Sequence, residues 1–525
     1  MIRLPKDETK TMVAVHGWSG ILLGLLLYAV VLTGTAAVFA DEIGIWSAGH
    51  VSTQSAFERP LGDTLRKLGA ETPEKYHEGV DLYEIGDHDL GIFFHRHEMD
   101  KGEIIARGIY YTLGKDGRVT DRRPATDEEV YGTRNDNALS AFLVETHVRL
   151  HLPNPWGLLL TGIVGLSMLI AAVSGLLIHR HLFKDIFTLR RNANPVLVNR
   201  DKHSVAGTWS LPFAFILAFT GSFFSFFGTV GVPIVAMAAF GGNQQVLQET
   251  VFGNPGKPDP RPTGIGNFDR ISSDAIARAG TVPTFVAIEN FGRADSKVTT
   301  YHSPKSGAIA PMTLLYNGAT ARFEQVKPLI GPKPSTGGTL AAIMYPLHFG
   351  NFAGMVSKAI WFGLGFAMCY VTYTGLCLWL SRRESASRSL AWLERTNMIV
   401  GLGLPFALAS SAAAFLVAMP LGTAIWWTPA GFLIGTATTI LAGCLAPNTA
   451  WLSRALRIGT GVMMLLLPLL RLLSGGPGWS TAIAAHQPII VTLDIAFIVA
   501  GAWTLAELWK PRPVVHRPMT LQAAE

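Results

Sequence analysis

The chain is poor in charge and poor in cysteine. Of its 525 residues, 15% are Asp, Glu, Lys or Arg and 49% are hydrophobic, and mean hydropathy is +0.31. A soluble domain carries about 25% charged residues, so this composition points to a membrane protein. The three cysteines, Cys369, Cys377 and Cys444, stand singly inside apolar runs. With no Cys-x-x-Cys pair, thiolate zinc sites, iron–sulfur clusters and a disulfide framework are not expected. No glycine-rich dinucleotide motif follows a strand, which argues against a nicotinamide or flavin domain. The formal charge of +6 would suit nucleic acid. The basic residues stand beside the hydrophobic runs, however, as topology signals do, so no nucleic-acid partner is expected.

Long apolar runs divide the chain. After a polar start with Arg3, Lys6 and Lys10, the stretch 12–40 is apolar apart from His16 and small polar residues. It is longer than the roughly 7–15 residues of a secretory-signal core, so 1–40 reads as a tail and first membrane helix. Residues 41–145 are mixed and charged. A helix over 60–68 precedes strands at 79–85, 91–97, 104–113 and 118–120, with Lys115-Asp116-Gly117 as a hairpin turn. The second membrane helix falls in 146–181, a basic loop in 182–204 and a phenylalanine-rich third helix in 205–240. Residues 241–345 repeat the earlier order, with a helix over 269–279 and strands at 284–288, 297–302, 312–316 and 321–325. The fourth helix lies in 346–383. Residues 384–525 form a membrane extension with helices at about 397–418, 424–446, 457–473 and 488–508, then a tail.

The predicted fold is a polytopic α-helical membrane protein of about eight transmembrane helices, with two small α+β domains from an internal duplication. Lys6, Lys10, Lys184, Arg190, Arg191, Arg382, Arg383, Arg454, Arg457, Lys510 and Arg512 all fall on one side of the bilayer. The positive-inside rule then puts both termini in the cytoplasm and both α+β domains in the periplasm.

The duplication is clearest in the histidines. His151 is followed by Asn154 and Gly157, and His348 by Asn351 and Gly354; His16 precedes Gly20 as His203 precedes Gly207. Each stands where a membrane-length run begins. Haem b is held by neutral imidazoles on opposite faces of the ring, usually from two helices. Pairing equivalents assigns His16 with His203 to a cytoplasmic haem iron and His151 with His348 to a periplasmic one, giving two haems b. Gly17, Gly20, Gly207, Gly157, Gly350 and Gly354 would let a flat macrocycle approach the backbone. His147 shares a helix face with His151 and is an alternate ligand, although Met344 holds its matching position in the second half. His179 and His181 are alternates at the cytoplasmic site. The plain alternative for any one of these histidines is a polar residue resting at the membrane interface. The 28 residues from His151 to His179 put the two levels at most about 40 Å apart, with Trp209, Trp361 and Tyr370 among the aromatics between them. His95-Arg96-His97 puts two imidazoles on one strand face, better read as solvated than as metal-binding. Arg471 and Asp494, both within apolar runs, are expected to pair as a structural clamp. No side chain is assigned as catalytic.

Several short stretches, taken in order, resemble the PepSY-associated transmembrane proteins. They are His16-Gly17-Trp18-Ser19-Gly20, Thr33-Gly34-Thr35, Ser174-Gly175-Leu176-Leu177 and Thr374-Gly375-Leu376-Cys377-Leu378-Trp379 running into Arg382-Arg383. The resemblance covers roughly residues 10–385 and leaves 386–525 without a role. It implies a bacterial inner-membrane protein linked to iron uptake, with haem-containing ferric-siderophore reductases such as ferrioxamine reductase among the relatives. The implied activity is that of an oxidoreductase. Electrons from an unidentified cytoplasmic or membrane donor would cross the bilayer and reduce Fe(III) in a docked siderophore or other ferric chelate. The rival expectation, from the supposed role of PepSY domains in inhibiting peptidases, is a non-enzymatic scaffold or transporter component that binds a peptide or partner.

Overall fold

A computed structural model describes residues 5–100, 103–179, 187, 190, 195–251, 253–254, 257–305, 307–331, 333–381 and 390–509. Its α-helices longer than eight residues are α1 (Lys6–Leu22), α2 (Gly24–Ala37), α3 (Ala40–Ala48), α4 (Gly62–Glu71), α5 (Ala138–Val148), α6 (Trp156–Ile178), α7 (Pro195–Phe226), α8 (Val232–Phe240), α9 (Phe268–Ala279), α10 (Thr336–Phe349), α11 (Gly354–Ser381), α12 (Ala391–Ala418), α13 (Ala424–Leu445), α14 (Thr449–Leu473) and α15 (Pro488–Ala506). Among the described residues, seven helical spans are long and apolar enough to cross a membrane: α6, α7 with α8, α11, α12, α13, α14 and α15. The first expected span is broken, because α1 and α2 meet at 67° around Leu23; counted as one bent span they bring the number to eight. The chain is a multi-pass membrane protein.

The third span differs from its expected bounds. Helix runs from Val196 to Phe240, 45 residues, with a π-turn at Phe227–Gly231. It starts inside the expected basic loop because Pro195 suits the first helical turn, where its missing N–H is not needed. Asp201, one turn further on, is held by Arg190. His181, Lys184, Arg191, Arg382, Arg383, Lys510, Arg512 and Arg517 lie outside the described residues.

The two expected α+β domains, 41–145 and 241–345, share one sheet. Strands β1 (Gly79–Ile85), β2 (Asp89–Asp100), β3 (Glu103–Leu113) and β4 (Val119–Thr126) form one antiparallel meander. Strands β5 (Pro283–Glu289), β6 (Lys297–His302), β7 (Met312–Asn317) and β8 (Phe323–Val326) form another. β1 and β5 pair antiparallel, Leu82 opposite Val286, so the order is β4-β3-β2-β1-β5-β6-β7-β8 and reads alike from either edge. Strand alternation sends Leu82, Ile92, Phe94, Val286, Ile288 and Val298 to one face. There they meet Leu65 and Leu68 of α4 and Phe268, Ile271 and Ala275 of α9, spaced to fall on one side of each helix. Truncating a residue as buried as Leu65 or Leu82 to alanine would destabilise the lobe by about 2–5 kcal/mol. The halves are tied again at the helix ends, where Asp269 on α9 accepts from the Leu61 and Gly62 amides that open α4.

The extension after residue 390 packs on the first half of the bundle. Arg471 on α14 donates through Nε and Nη2 to Asp494 on α15, at 3.1 and 2.7 Å. The indoles of Trp46 and Trp479 donate to the same carboxylate, each at 2.8 Å. Arg471 and Asp494 are both 2% exposed in their side chains, and four donors satisfy the carboxylate, which is the arrangement a charge needs inside a bilayer.

Candidate functional site

Two pairs of imidazoles lie inside the bundle. In the inner pair, α1 supplies His16 and α7 supplies His203, with ring centroids 6.1 Å apart and planes at 68°. Nδ1 of His16 is 2.9 Å from the Ala171 carbonyl of α6, and Nδ1 of His203 is 3.0 Å from the Val371 carbonyl of α11. A carbonyl only accepts, so each Nδ1 carries the proton and each Nε2 is the lone-pair nitrogen. This is the tautomer that a metal-ligating histidine takes when its other ring nitrogen is hydrogen-bonded to the backbone.

In the outer pair, α5 supplies His147 and α10 supplies His348. The centroids are again 6.1 Å apart, here with nearly parallel planes at 26°. His147 Nδ1 is 2.9 Å from the Val30 carbonyl of α2. His348 Nδ1 is 2.9 Å from Thr220 Oγ1 on α7, and that hydroxyl gives its own proton to the Ile216 carbonyl at 2.6 Å. The threonine oxygen therefore accepts from His348, and the protonation pattern is the same at all four rings.

The outer pair departs from the expected partners. His151 does not face His348; it is exposed, stacks on Phe142 at 4.6 Å and sits 2.9 Å from Thr146 Oγ1. His147 and His348 are each the last residue but one of their helices. The connection to the next span runs over 149–155 in the first half and 350–353 in the second, three residues shorter. The His-x-x-Asn echo aligned the two loops without that difference and so paired His348 with a histidine that does not face it. His179 lines the inner cavity but does not make the ring pair there.

The sequence reasoning did not see what each imidazole leans on. A Cβ added to Gly175, Gly375, Gly34 or Gly221 would lie 3.2, 3.1, 2.6 or 3.1 Å from Cε1 of His16, His203, His147 or His348, respectively. Each glycine follows a hydroxyl residue: Ser174, Thr374, Thr33 and Thr220. Helices α6, α11, α2 and α7 thus each present one Ser/Thr-Gly seat to one ring. The dipeptides were legible in the sequence, but Ser19-Gly20, Thr161-Gly162 and Thr460-Gly461 share the pattern, so it did not single out the four seats.

The glycines expected to admit a macrocycle divide by site. Gly17 and Gly20 have open space where a Cβ would go, Gly207 meets only Val371 at 3.8 Å, and all three line a cavity of about 1080 Å³ beside His16 and His203. Ligand pockets commonly measure about 300–1,000 Å³, so this one is roomy. Gly157 and Gly350 serve local structure instead, one against the Arg149 backbone and the other ending α10 at φ +71° beneath Trp361.

The levels are also nearer than the helix count suggested. His203 of the inner pair and Gly221, the seat of His348, are both on α7, 18 residues and about 27 Å apart along the axis. Of the expected intervening aromatics, Trp209 and Tyr370 are 54% and 40% exposed. Trp361 turns inward, donating to the Leu347 carbonyl at 2.8 Å and meeting Phe213 edge to face at 5.3 Å.

The donor set fits haem and does not fit a bare metal ion. Two ligands are too few for a free cation, and among the described residues no group of three or more His, Cys, Asp or Glu could hold one. A porphyrin supplies the other four nitrogens. Imidazole nitrogens about 2 Å from a shared metal on opposite faces put the ring centroids about 6 Å apart, as in both pairs here. On the sheet, His95 and His97 are each occupied by a carboxylate, Asp81 at 3.0 Å and Glu78 at 2.8 Å.

The model of the PepSY-associated TM region matches residues 13–382. The chain belongs to this family. The PepSY-associated match takes in all four histidines and all four seats, and it ends before α12. An uncharacterised Pseudomonas aeruginosa protein, PA4219, is 26% identical over 339 residues, 60% of this chain and 82% of its own length.

Proposed function

We propose that this protein holds two b-type haems and carries electrons across a bacterial inner membrane to a ferric siderophore or other ferric chelate in the periplasm. The main support is the doubled imidazole pair: two sets of rings at one spacing, each with its proton on Nδ1 and its back against a glycine. A bound haem supplies reversible one-electron chemistry at iron. The protein's own residues do the rest. His16 with His203, and His147 with His348, would hold the group through Nε2. Ala171, Val371, Val30 and Thr220 fix each tautomer and ring orientation. The apolar wall of Leu27, Met168, Phe213 and Met368 keeps water from the space between the pairs.

On this reading Lys10 and Arg200, beside the inner pair, lie toward the cytoplasm, as the positive-inside rule favours, and the eight-stranded sheet lies in the periplasm. One electron delivered outward turns Fe(III) into Fe(II), a softer ion that oxygen donors hold less tightly, so the chelate lets go of its metal. The electron donor belongs to the cytoplasm or the membrane.

The test is the reduced-minus-oxidised spectrum of the purified protein. Wild type should show Soret and α bands for two haems per chain. His16→Ala and His147→Ala should each remove about half of the haem, while His151→Ala should leave both. A colourless, folded protein from haem-replete cells would overturn the proposal in favour of a non-enzymatic membrane scaffold.

A further inference from the structure

His147 and His348 occupy matching places, but their helices are supported very differently. On α5, Ala138, Leu139 and Leu143 are 2%, 2% and 5% exposed. They share one core with Phe415 and Leu416 of α12, Ala424 of α13, Leu467 of α14 and Ile490 of α15. Phe142 on the same helix meets Phe432 of α13 with ring centroids 5.4 Å apart. Just before α5, Asn135 straddles the turn between α12 and α13. Its Nδ2 donates to the Met419 carbonyl at 2.9 Å, and its Oδ1 accepts from the Ala424 amide at 2.7 Å. Behind this contact, Trp46 of α3 joins the same core, and its indole donates to the carboxylate that Arg471 holds.

The helix that carries His348 has much less around it. Gly338 and Pro346 are its buried residues, and Leu340 and Tyr345 are 57% and 47% exposed. The seat at His147 is also the tightest of the four, with the added Cβ of Gly34 only 2.6 Å from the ring. A ring held that close to a backbone has no slack, so a small slide of α5 changes how the imidazole is presented.

We propose that helices α12–α15 are a brace for α5, and that by fixing this helix they set how the His147 imidazole faces His348. Asn135 and Phe432 are the positioning residues that transmit the brace. The part concerning His147 rests on reading the outer pair as haem ligands; the part concerning α5 does not. The brace lies outside the family match, so it belongs to this chain's extension rather than to the shared core.

The experiment uses the full chain as purified, with Asn135→Ala plus Phe432→Ala in one variant, the milder Phe432→Leu in a second, and Leu340→Ala on α10 as control. Hydrogen exchange by mass spectrometry reads α5 and α10 separately, and electron paramagnetic resonance reads the low-spin haems. The double variant should raise exchange of 138–148 at least about tenfold with 336–349 unchanged, and Phe432→Leu should raise it less. In the same samples the outer low-spin signal should shift and the inner one stay. Unchanged exchange of 138–148 in both variants overturns the brace. Faster exchange with an unmoved outer signal overturns its role in presenting His147. Wild-type protein without haem sinks the functional reading alone, and the exchange result still decides the brace.

Discussion

Beyond the four seats that press on the rings, Gly17, Gly20 and Gly207 near His16 and His203 line a cavity, whereas Gly157 and Gly350 near His147 and His348 shape the backbone. The two pairs share a centroid spacing and a protonation pattern, yet one sits beside a cavity of about 1080 Å³ and the other is carried on two short helices, α5 and α10. The contrast shows what the internal symmetry constrains. Ring placement follows from Ser/Thr-Gly seats on four helices, and the tautomer from an acceptor on the same helix as each seat. Access follows from what lies beyond the seats, and there the halves are free to differ.

The sharpest way to break this comparison is to add bulk at one glycine of each kind. Gly34→Leu puts carbon where the His147 ring lies, so it should abolish the outer haem signal while the inner one persists. Gly20→Ala enters open space and should leave haem content within about 20% of wild type, read by the pyridine haemochrome assay. If both substitutions act alike, the two sites are not walled differently.

A smaller effect comes from the His348 seat, where a side chain takes the place of a backbone carbonyl as the Nδ1 acceptor. Thr220→Val keeps the shape and removes the hydroxyl that receives the His348 proton. Haem affinity at the outer site should fall by about tenfold, measured by competition with a haem-binding apoprotein, with the inner site unaltered.

Much of the fold was legible beforehand. The strands at 79–85 and 297–302 have the bounds their alternation predicts, and both amphipathic helices fall within two or three residues of their expected places. Helices α3, α5 and α10 were missed because their apolar residues are not gathered on one side, as they are in α4 and α9, and α5 and α10 carry the outer histidines. The pairing of β1 with β5 joins residues some two hundred positions apart and leaves no local mark. His147 was demoted because Met344 held its presumed twin position, an error traceable to three extra loop residues. The inner pair was easier to align, since His16 and His203 lie within helices, where spacing is rigid.

The smallest expected effect separates the outer lobe from both sites. Glu78 accepts the Nδ1 proton of His97, which lowers the Glu78 pKa and raises that of His97. The Glu78 contribution is present above the ordinary glutamate value of 4.5 and is lost as pH falls through its lowered value. The His97 contribution is present below 6.5 and is lost as pH rises through its raised value. The pair therefore stabilises most between those two values. The side chains are 50% and 54% exposed, so screening keeps the gain below about 0.5 kcal/mol. Glu78→Gln should lower the melting temperature of the lobe slightly near about pH 5.5 and not at all near roughly pH 9, with both haem spectra unchanged.

The sheet order has one more mechanical consequence. Its two edge strands, β4 and β8, are the last strands before α5 and α10, so the chain leaves opposite rims of one slab to reach the two outer histidines. Eight strands at about 4.8 Å make that slab about 34 Å wide, and its ladders resist shear. The lobe is then a spreader bar: its width sets how far apart the chain leaves the sheet toward the two histidine-bearing helices.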